Sequence, residues 1–324
     1  MFIEKLQVRG IRNISHADIA LSPGINLFYG RNGSGKTSLL EAVHILSRGR
    51  SFRTRNLRSV INLDDQSCTC FGTVNLGTAS TAVVTPVGVM RDEKGKFVFK
   101  VDGKQVSTAS QLAEVLPIQI INSDSFQLLE GSPGNRRGFI DWGVFHVEQR
   151  YRDLWSRFQK CLKHRNSLLR RGKIDRLQVS VWDREFCLLS NQIDSFREKY
   201  LEGFFQRLTG ILGPLGLEGE FGFRYLPGWE RGEELSVQLE RAWLRDAKAG
   251  YTHFGPHRAD LKIVLGKQSA ADILSRGQIK TLVFALKLAQ GHVFREKTGN
   301  SCIFLLDDLP SELDATHCQL FCEF

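Results

Sequence analysis

One eight-residue segment constrains the fold of this chain more than any other feature; it consists of Gly30, Arg31, Asn32, Gly33, Ser34, Gly35, Lys36 and Thr37. The segment matches the pattern G-x-x-x-x-G-K-[ST] in full. It follows a run from Ile25 to Tyr29 that is typical of a strand, and apolar residues at helical spacing follow from about Lys36 to Leu46. Its glycines allow the backbone to curl so that successive N–H groups face phosphate oxygens, and the start of the helix adds its dipole. The segment, called the phosphate loop below, therefore predicts a nucleoside triphosphate site.

The side chains at the end of this loop predict how a triphosphate is held. Lys36 is expected to bring a positive charge to the β- and γ-phosphates, and the Thr37 hydroxyl is expected to ligate Mg²⁺. About 270 residues further on, an apolar run from Cys302 to Leu306 ends in Asp307 and Asp308. An aspartate at the tip of such a strand is where phosphate-loop enzymes hold Mg²⁺ through the loop threonine and water. We therefore expect Asp307 at the metal and Asp308 at the position that polarises the attacking water, where related enzymes more often carry Glu. With Lys36 they are the predicted catalytic residues.

Composition and charge narrow the class of protein. The 324 residues are enough for about two domains, and the 42% hydrophobic and 24% charged residues are typical of a globular chain. No apolar run approaches the roughly 20 residues that span a bilayer, and the N-terminal run MFIEKLQVRGIRN lacks the apolar block of a signal peptide. The seven cysteines form no C-x-x-C pair, which suits free thiols in a reducing compartment. We therefore expect a cytoplasmic protein, whose net charge of +9 favours a polyanionic partner, nucleic acid rather than a membrane.

The pattern of apolar residues along the sequence predicts a mixed α/β chain with an inserted helical lobe. Residues 1–121 and 251–324 are rich in strand-like patterns, and Asp102-Gly103 is a two-residue hairpin signal. A further helix is expected from Ile279 to Gln290. Residues 122–250 instead have long helical periodicity, with one stripe expected to be buried: Leu154, Phe158, Cys161, Leu162, Leu168 and Leu169. We therefore expect a head of mixed sheet and helices with an antiparallel strand subdomain, formed by the first two ranges, and a helical lobe formed by the third.

Two segments concentrate the positive charge. The first, Ser47–Arg58, has no acidic residue and is called the arginine segment below; its arginines are Arg48, Arg50, Arg53, Arg55 and Arg58. The second, from Arg136 to Arg176, has twelve Lys and Arg against four Asp and Glu, with aromatic residues mixed in. These arginines either contact a duplex backbone, with strong salt dependence and little base specificity, or form solvated helix faces. Arg58 is alternatively a nucleotide contact, and the aromatic residues more often belong to a core than to a base-stacking surface.

The chain also contains Leu274-Ser275-Arg276-Gly277-Gln278, just before the expected second helix. By itself a serine in this place is typical of an ordinary helix N-cap. Between a phosphate loop and an acidic strand end, the segment resembles the LSxGQ signature of the ABC-type ATPases. This resemblance implies that Ser275, Gly277 and Gln278 of one subunit close over the γ-phosphate held by the phosphate loop of another, in a head-to-tail dimer. Ser311-Glu312-Leu313-Asp314 is similar to the loop that crosses this interface, which adds Asp314 to the nucleotide-binding residues.

Further segments are shared with one branch of these ATPases: Leu128–Pro133 leading to Arg136-Arg137 and Phe139-Ile140-Asp141, Gly49-Arg50-Ser51-Phe52-Arg53, and Gly255–Leu261. On these segments the chain resembles, over essentially its whole length, the RecF family in the SMC-like branch. It departs from the family pattern at Ser123, followed by Asp124, where the family usually has proline before an acidic residue.

The resemblance implies an ATP- and Mg²⁺-dependent DNA-binding protein of replication, repair and the SOS response to DNA damage. ATP would drive dimerisation, the closed dimer would clasp duplex or gapped DNA, and hydrolysis would be slow. Such a protein acts at gaps and stalled forks, where RecO and RecR help to load the recombinase RecA.

Two alternatives stay open from the sequence. In the first, the chain is a DNA-binding module in which nucleotide binding acts only as a switch for dimerisation, without appreciable ATP turnover. Asp at position 308 favours it, as does the end of the chain at Phe324, because family members continue with a strand that carries a switch residue, commonly His. The head is therefore expected to be shortened at its C-terminus, which leaves hydrolysis open. The second alternative is another SMC-like clamp or an ABC transporter subunit, disfavoured by the absence of long heptads and by the net charge. The amide residue that joins such a head to its insertion is either Gln119 or Gln127.

Overall fold

A computed structural model describes residues 1–77, 83–170, 176–308 and 319. By its internal contacts the chain separates into two compact units. The first contains Met1–Ser123 and the segment that starts at Phe294, and the second contains Asp124–Val293. This division differs from the expected domain boundaries, because residues 251–293 lie in the second unit with the helices.

The first unit is built on strands, in agreement with the expected antiparallel subdomain. Its elements are β1 Phe2–Ile11, β2 Ile14–Ala20, α1 Lys36–Arg48, β3 Ser67–Asn75, β4 Val84–Asp92, β5 Phe97–Val101, β6 Lys104–Val106, α2 Ala109–Val115, β7 Ile118–Ile121 and β11 Ile303–Leu306. Six strands form an antiparallel sheet in the order β2-β1-β3-β4-β5-β6, and β7 pairs in parallel with β11. The mixed α/β fold class is therefore confirmed.

Alternation of apolar residues explains which face of this sheet is buried. In β1, Ile3, Leu6 and Val8 are buried, and they meet Leu46 of α1 in one hydrophobic cluster. The predicted α1 is confirmed, and it ends where Gly49 takes a left-handed conformation with φ 61° and its N–H binds the carbonyl of Ile45. A larger residue than glycine does not fit at position 49, since its Cβ would lie 2.9 Å from the Phe99 ring.

The hairpin predicted at Asp102-Gly103 is confirmed. These two residues join β5 to β6, whose register pairs Val101 with Lys104. Both have positive φ, 51° at Asp102 and 72° at Gly103, as a tight two-residue turn requires.

The strand predicted from Ile25 to Tyr29 is wrong. Residues 21–30 form no strand, and none of the described strands pairs with Ile25–Tyr29. Ile25, Leu27 and Tyr29 are 77%, 80% and 88% exposed. A strand needs a hydrogen-bonded neighbour as well as a suitable composition, and the described part of the chain supplies none here.

The second unit is mainly helical, as the periodicity predicts. Its elements are α3 Gln127–Glu130, α4 Pro133–Val147, α5 Tyr151–Leu169, α6 Arg176–Leu212, β8 Phe221–Leu226, α7 Leu235–Arg241, α8 Trp243–Ala249, β9 Asp260–Leu265, β10 Gln268–Ser269, α9 Ala270–Ile273 and α10 Arg276–Thr298, the last of which continues into the first unit. The helix expected from Ile279 to Gln290 is thus part of a longer one. Strands β10, β9 and β8 form a small antiparallel sheet, which ties residues 260–269 to the lobe.

The core of this unit contains charge as well as apolar side chains. Four of the six stripe residues of α5 are buried, and Leu162 and Leu168 are half-buried. Arg165 of the same helix is fully buried, and its guanidinium donates to Asp246 Oδ2 at 2.9 Å and to Asp183 Oδ1 at 2.6 Å. The pair of Arg165 and Asp246 fixes α5 against α8, since separating the two helices would leave a buried charge without this partner, which is costly.

None of the helices in the described ranges has both the length and the apolar composition that crossing a membrane requires.

Candidate nucleotide site and basic surfaces

The phosphate loop is exposed and already curled. Gly30, Gly33 and Gly35 have φ of 152°, 81° and 101°, values that side-chain-bearing residues rarely adopt. Gly35 stands at the N-terminus of α1, so the first free N–H groups of that helix face the concave side of the loop. The backbone is therefore arranged for an anion, as the motif predicts.

Lys36 folds back over the loop. Its Nζ donates to the carbonyls of Gly30 at 2.9 Å and Arg31 at 3.1 Å. The ammonium group thus lies over the concave side of the loop, where phosphate oxygens would replace these carbonyl partners.

The two predicted magnesium contacts meet in space. Strand β11 lies beside β7, and Asp307 follows it directly, with its N–H bound to the carbonyl of Ile121. The hydroxyl of Thr37 donates to Asp307 Oδ1 at 2.9 Å. Asp308 is exposed and has a positive φ of 58°, an unusual backbone conformation for a residue other than glycine. The structure therefore brings together Lys36, Thr37 and Asp307 in one half-buried site at the end of the exposed loop.

Sequence reasoning missed Asn13, which holds the phosphate loop from outside. Its Nδ2 donates to the carbonyl of Gly33 at 2.7 Å, and its Oδ1 accepts from Ser38 Oγ at 2.9 Å. Asn13 stands in the tight turn between β1 and β2, and only the adjacency of Arg12-Asn13 to two strand-like runs could have signalled it.

A cleft of about 480 Å³ lies beside the loop on the side of β2. Apolar and aromatic side chains form much of its wall: Ile14, Ala17, Ile19, Leu27, Phe28, Tyr29 and Leu39. The rest of the lining is polar or belongs to the loop itself, and includes Asn13, His16 and Lys36. A cleft of this mixed character next to an anion-binding loop suits a ligand with a charged end and a flat, less polar end.

The signature segment forms the N-terminus of α10 in the second unit. Gln278 N–H donates to Ser275 Oγ at 3.3 Å, and Ser275 N–H donates to Gln278 Oε1 at 3.0 Å, which is a reciprocal helix cap. Ser275, Gly277 and Gln278 are all exposed. The N-cap interpretation and the signature interpretation are thus compatible, because capping leaves the residues accessible. Asp314 and the rest of the predicted interface loop lie outside the described residues.

The arginine segment keeps most of its charge at the surface. Arg50, Arg53, Arg55 and Arg58 are exposed, whereas Arg48 is half-buried. Burial, and then the nearby Arg50, lower the pKa of Arg48 to about 10. Four of the five predicted arginines are therefore accessible to an anion.

The second basic run divides between structural and exposed side chains. Arg136 donates to Asp260 Oδ1 at 2.7 Å, Arg137 donates to the carbonyl of Ala259, and Arg165 is buried. Arginines 136 and 137 thus join two of the segments on which the family resemblance rests. The basic residues Lys160, Lys163 and Arg170 instead line one open groove along α5, together with Ser156, Gln159, Leu162 and Asn166.

Comparison with known proteins shows the family of this chain. A family model described as the RecF/RecN/SMC N terminal domain matches residues 2–324. The DNA replication and repair protein RecF of Pseudomonas syringae pv. tomato is 48% identical over 323 residues, covering 99% of this chain and 87% of that protein. The protein of the same name from Pseudomonas entomophila is 47% identical, with the same coverage.

Solved structures show the same fold. The recombination mediator protein RecF with ATP, from the RecFOR pathway, has a TM-score of 0.90 at 26% identity and covers 99% of this chain and 88% of that chain. The Smc head bound to the C-winged helix domain of ScpA has a TM-score of 0.56 at 15% identity, covers 100% of this chain and 86% of that chain, and is alike in fold alone.

Fold and phosphate loop together define the class, an SMC-like head of the ABC-type phosphate-loop ATPases. The chain belongs to the RecF family of DNA replication and repair proteins.

Proposed function

We propose that this chain is an ATP-dependent DNA-binding protein of replication and recombinational repair. The observation that carries the proposal is the contact between Thr37 and Asp307, which joins the phosphate loop to the acidic strand end across 270 residues. Membership of the RecF family and the ATP-bound structure of a relative support it.

The residues at the loop suit ATP with Mg²⁺. Thr37 and Asp307 provide neighbouring hydroxyl and carboxylate oxygens, the ligand type that Mg²⁺ prefers. Bound Mg²⁺ would neutralise charge on the β- and γ-phosphates. Lys36 exchanges its loop carbonyls for phosphate oxygens, the loop N–H groups bind the remaining oxygens, and the cleft beside β2 takes the nucleoside. Asp308 orients and polarises the attacking water.

The exposed cap of α10 supports a composite site between two copies. Ser275, Gly277 and Gln278 of one copy contact the γ-phosphate on the loop of the other, and Asp314 lies at the interface between them. Each half of the site is exposed in its own unit, so each is accessible to a second chain. ATP therefore favours a head-to-tail dimer, and the closed dimer clasps duplex or gapped DNA through its basic surfaces.

Sedimentation of the purified chain with and without Mg²⁺-ATP tests this function. ATP is expected to convert monomer to dimer, and Lys36→Ala and Ser275→Arg are expected to abolish the shift for different reasons. Lys36→Ala loses ATP binding, whereas Ser275→Arg still binds ATP but blocks the composite site. Ser269→Arg, at an exposed serine that precedes a neighbouring helix, is the matched control and should dimerise normally. A parent chain that stays monomeric at saturating ATP would overturn the dimer mechanism.

The relatives' pathway defines the expected setting. The ATP-bound relative is described as a recombination mediator of the RecFOR pathway. For this chain we propose the same setting, in the cytoplasm, with RecR and RecO as partners and recombinase loading at gaps and stalled forks as the result.

A second function is a nucleotide switch without appreciable turnover. Its supporting observation is Asp308, whose carboxylate is one methylene shorter than the more usual Glu and stands on a left-handed backbone. Asp308→Asn distinguishes the two functions. If turnover falls in the variant, the chain hydrolyses ATP slowly; if the parent has no turnover and dimerisation is unchanged, the switch explanation holds.

A further inference from the structure

A buried carboxylate, Glu41, lies in the middle of α1 between the phosphate loop and the arginine segment. The side chain is fully buried, which is rare for Glu unless it is paired. Three residues from two segments pair with it: Arg12 in the turn between β1 and β2, and Ser51 and Arg53 in the arginine segment. Burial alone would raise the pKa of Glu41, but hydrogen bonds from Arg12 and Ser51 hold the pKa below its ordinary value. Glu41 is therefore a charged junction inside the first unit.

On one side the junction reaches the phosphate loop. Arg12 Nε and Nη2 donate to the two carboxylate oxygens of Glu41, each at 2.9 Å. The next residue, Asn13, holds the Gly33 carbonyl of the loop. Because Arg12 and Asn13 share one tight turn, a movement of the loop at Gly33 changes the position of the guanidinium on Glu41.

On the other side the junction reaches the arginine segment. Ser51 Oγ donates to Glu41 and also accepts from the N–H groups of Arg53 and Thr54, at 2.9 and 3.1 Å. Nη1 of Arg53 itself lies 3.5 Å from Oε2 of Glu41. Arg12 also donates to the carbonyl of Ser59, at 2.7 Å, just beyond the end of the segment. The middle of the arginine segment and the residue just after its end are therefore anchored to the pair of Glu41 and Arg12.

We propose that Glu41 is a positioning residue that couples the phosphate loop to the arginine segment, so that nucleotide on the loop strengthens DNA binding by Arg50, Arg53 and Arg55. The proposal rests on the proposed function. Bound nucleotide fixes the phosphate loop at Gly33, and through Asn13 it fixes the turn between β1 and β2. The fixed turn holds the Arg12 guanidinium on Glu41. Arg53 then has a single position from which it can share Oε2 of Glu41 with Arg12. The exposed arginines are presented to a phosphate backbone in that geometry, and the two binding events reinforce each other reciprocally.

The coupling is measured as a ratio of two dissociation constants. A fluorescently labelled duplex is titrated with the full chain at one fixed salt concentration, without nucleotide and with a non-hydrolysable ATP analogue and Mg²⁺. We expect at least about a fivefold ratio for the parent chain, at the lower end of typical couplings. Ser51→Ala, which leaves every charge in place and keeps the Arg12–Glu41 pair, should bring the ratio close to one. Glu41→Gln should do the same.

The control is Ser59→Ala, which removes a hydroxyl just beyond the end of the arginine segment. This hydroxyl donates to the carbonyl of Asn56 and does not contact Glu41. It should keep the parent's ratio. If Ser51→Ala keeps the parent's ratio, the coupling role is overturned and the proposed function stands. If the parent's ratio is already one while both ligands bind, DNA binding does not depend on ATP, and the proposed function fails together with the coupling role. If the parent binds no ATP analogue, the proposed function itself fails, and the coupling role fails with it.

Discussion

Thr37 and Asp307 show at the residue scale how a distant pair defines a site. Their oxygens are 2.9 Å apart although 270 positions separate them in the chain. A hydrogen bond between a hydroxyl and a carboxylate contributes about 1.5–3 kcal/mol. It places two hard oxygen atoms side by side at the edge of the phosphate loop, where we propose that the Mg²⁺ of a bound triphosphate is held.

The hydroxyl of Thr37 is therefore expected to matter more than its methyl group. Thr37→Val keeps the shape of the side chain and removes the hydroxyl, so it should weaken binding of Mg²⁺-ATP by about tenfold or more. Thr37→Ser keeps the hydroxyl and should bind as the parent does. Titration calorimetry with and without Mg²⁺ measures both. Equal affinity of Thr37→Val and the parent for Mg²⁺-ATP would contradict the predicted role of Thr37.

His44 gives a prediction about pH. Burial lowers its pKa to about 4, from an ordinary value of 6.5, and its Nδ1 lies 2.7 Å from the Arg50 carbonyl. Between pH 6.5 and 4 the unfolded chain holds a proton on His44 that the folded chain does not, so stability falls as the pH falls through this range. The loss amounts to about 3 kcal/mol at most. His257 shifts in the same direction for the same cause, burial, and adds to the slope.

Urea denaturation at pH values of about 7, 6 and 5 measures this dependence. His44→Gln keeps a hydrogen-bond donor toward Arg50 but does not titrate, so its free energy of unfolding should fall less steeply than that of the parent. Parallel slopes for the two chains would show that His44 is protonated in the folded state as readily as in the unfolded one.

At the scale of elements, helices α5 and α8 are joined by a charge pair rather than by apolar contact alone. Arg165 and Asp246 are both fully buried. Removal of Asp246 leaves the buried guanidinium of Arg165 with the half-buried Asp183 but without its fully buried partner, and loss of one partner of a buried pair typically costs about 3–5 kcal/mol. Replacement of both by apolar residues of similar volume is often tolerated.

Asp246→Ala is therefore expected to destabilise the chain by about 3–5 kcal/mol, and the double variant Arg165→Met with Asp246→Leu by clearly less. Chemical denaturation followed by far-ultraviolet circular dichroism compares them. If the double variant were as unstable as the single one, packing around Asp246 rather than its charge would hold these helices together.

Elements also show where sequence reasoning succeeds. The Asp102-Gly103 hairpin and helix α1 depend on neighbours in sequence, and both were predictable. The segment Ile25–Tyr29 has the composition of a strand but no paired neighbour among the described strands, and pairing is a long-range property that composition does not contain. For the same reason the sequence did not reveal that β8 pairs with β9, which moves residues 251–293 into the second unit.

The candidate site followed the same rule. The phosphate loop was predictable because its function requires consecutive residues, and Asp307 was predictable because it directly follows an apolar strand. Asn13 and Glu41 were not, since a single polar residue has no pattern until the fold brings its partners to it. Arginines 136, 137 and 165 look like surface charges in sequence, yet each has an internal partner.

At the scale of the whole molecule, the net charge of +9 is distributed unevenly between ion-paired side chains and open surface. Lys160, Lys163 and Arg170 line the open groove of α5 without acidic residues among its lining. On the same helix, Arg152 and Arg157 lie against Asp153 and Glu185. Only the first group is expected to neutralise DNA phosphates.

Salt dependence separates these two groups. Neutralisation of the groove by Lys160→Gln, Lys163→Gln and Arg170→Gln should reduce the slope of log affinity against log salt by about one for each DNA phosphate that is no longer neutralised. The control Arg152→Gln with Arg157→Gln should change the slope little, although it also removes positive charge. Anisotropy titrations between about 50 and 200 mM salt give the slopes. A slope unchanged by the triple variant would move the DNA-binding surface to another part of the chain.

Helix α1 carries a mechanical consequence. It starts at Lys36 on the phosphate loop and ends at Arg48, within the arginine segment, and it has 13 residues. At about 1.5 Å per residue the helix is a rigid lever of about 19 Å, so a tilt of about 5° at the phosphate end sweeps the far end through about 1.6 Å. A displacement of that size makes or breaks a hydrogen bond. A small adjustment of the phosphate end of α1 is thus large enough, at the far end of the helix, to change the hydrogen bonds that hold the arginine segment.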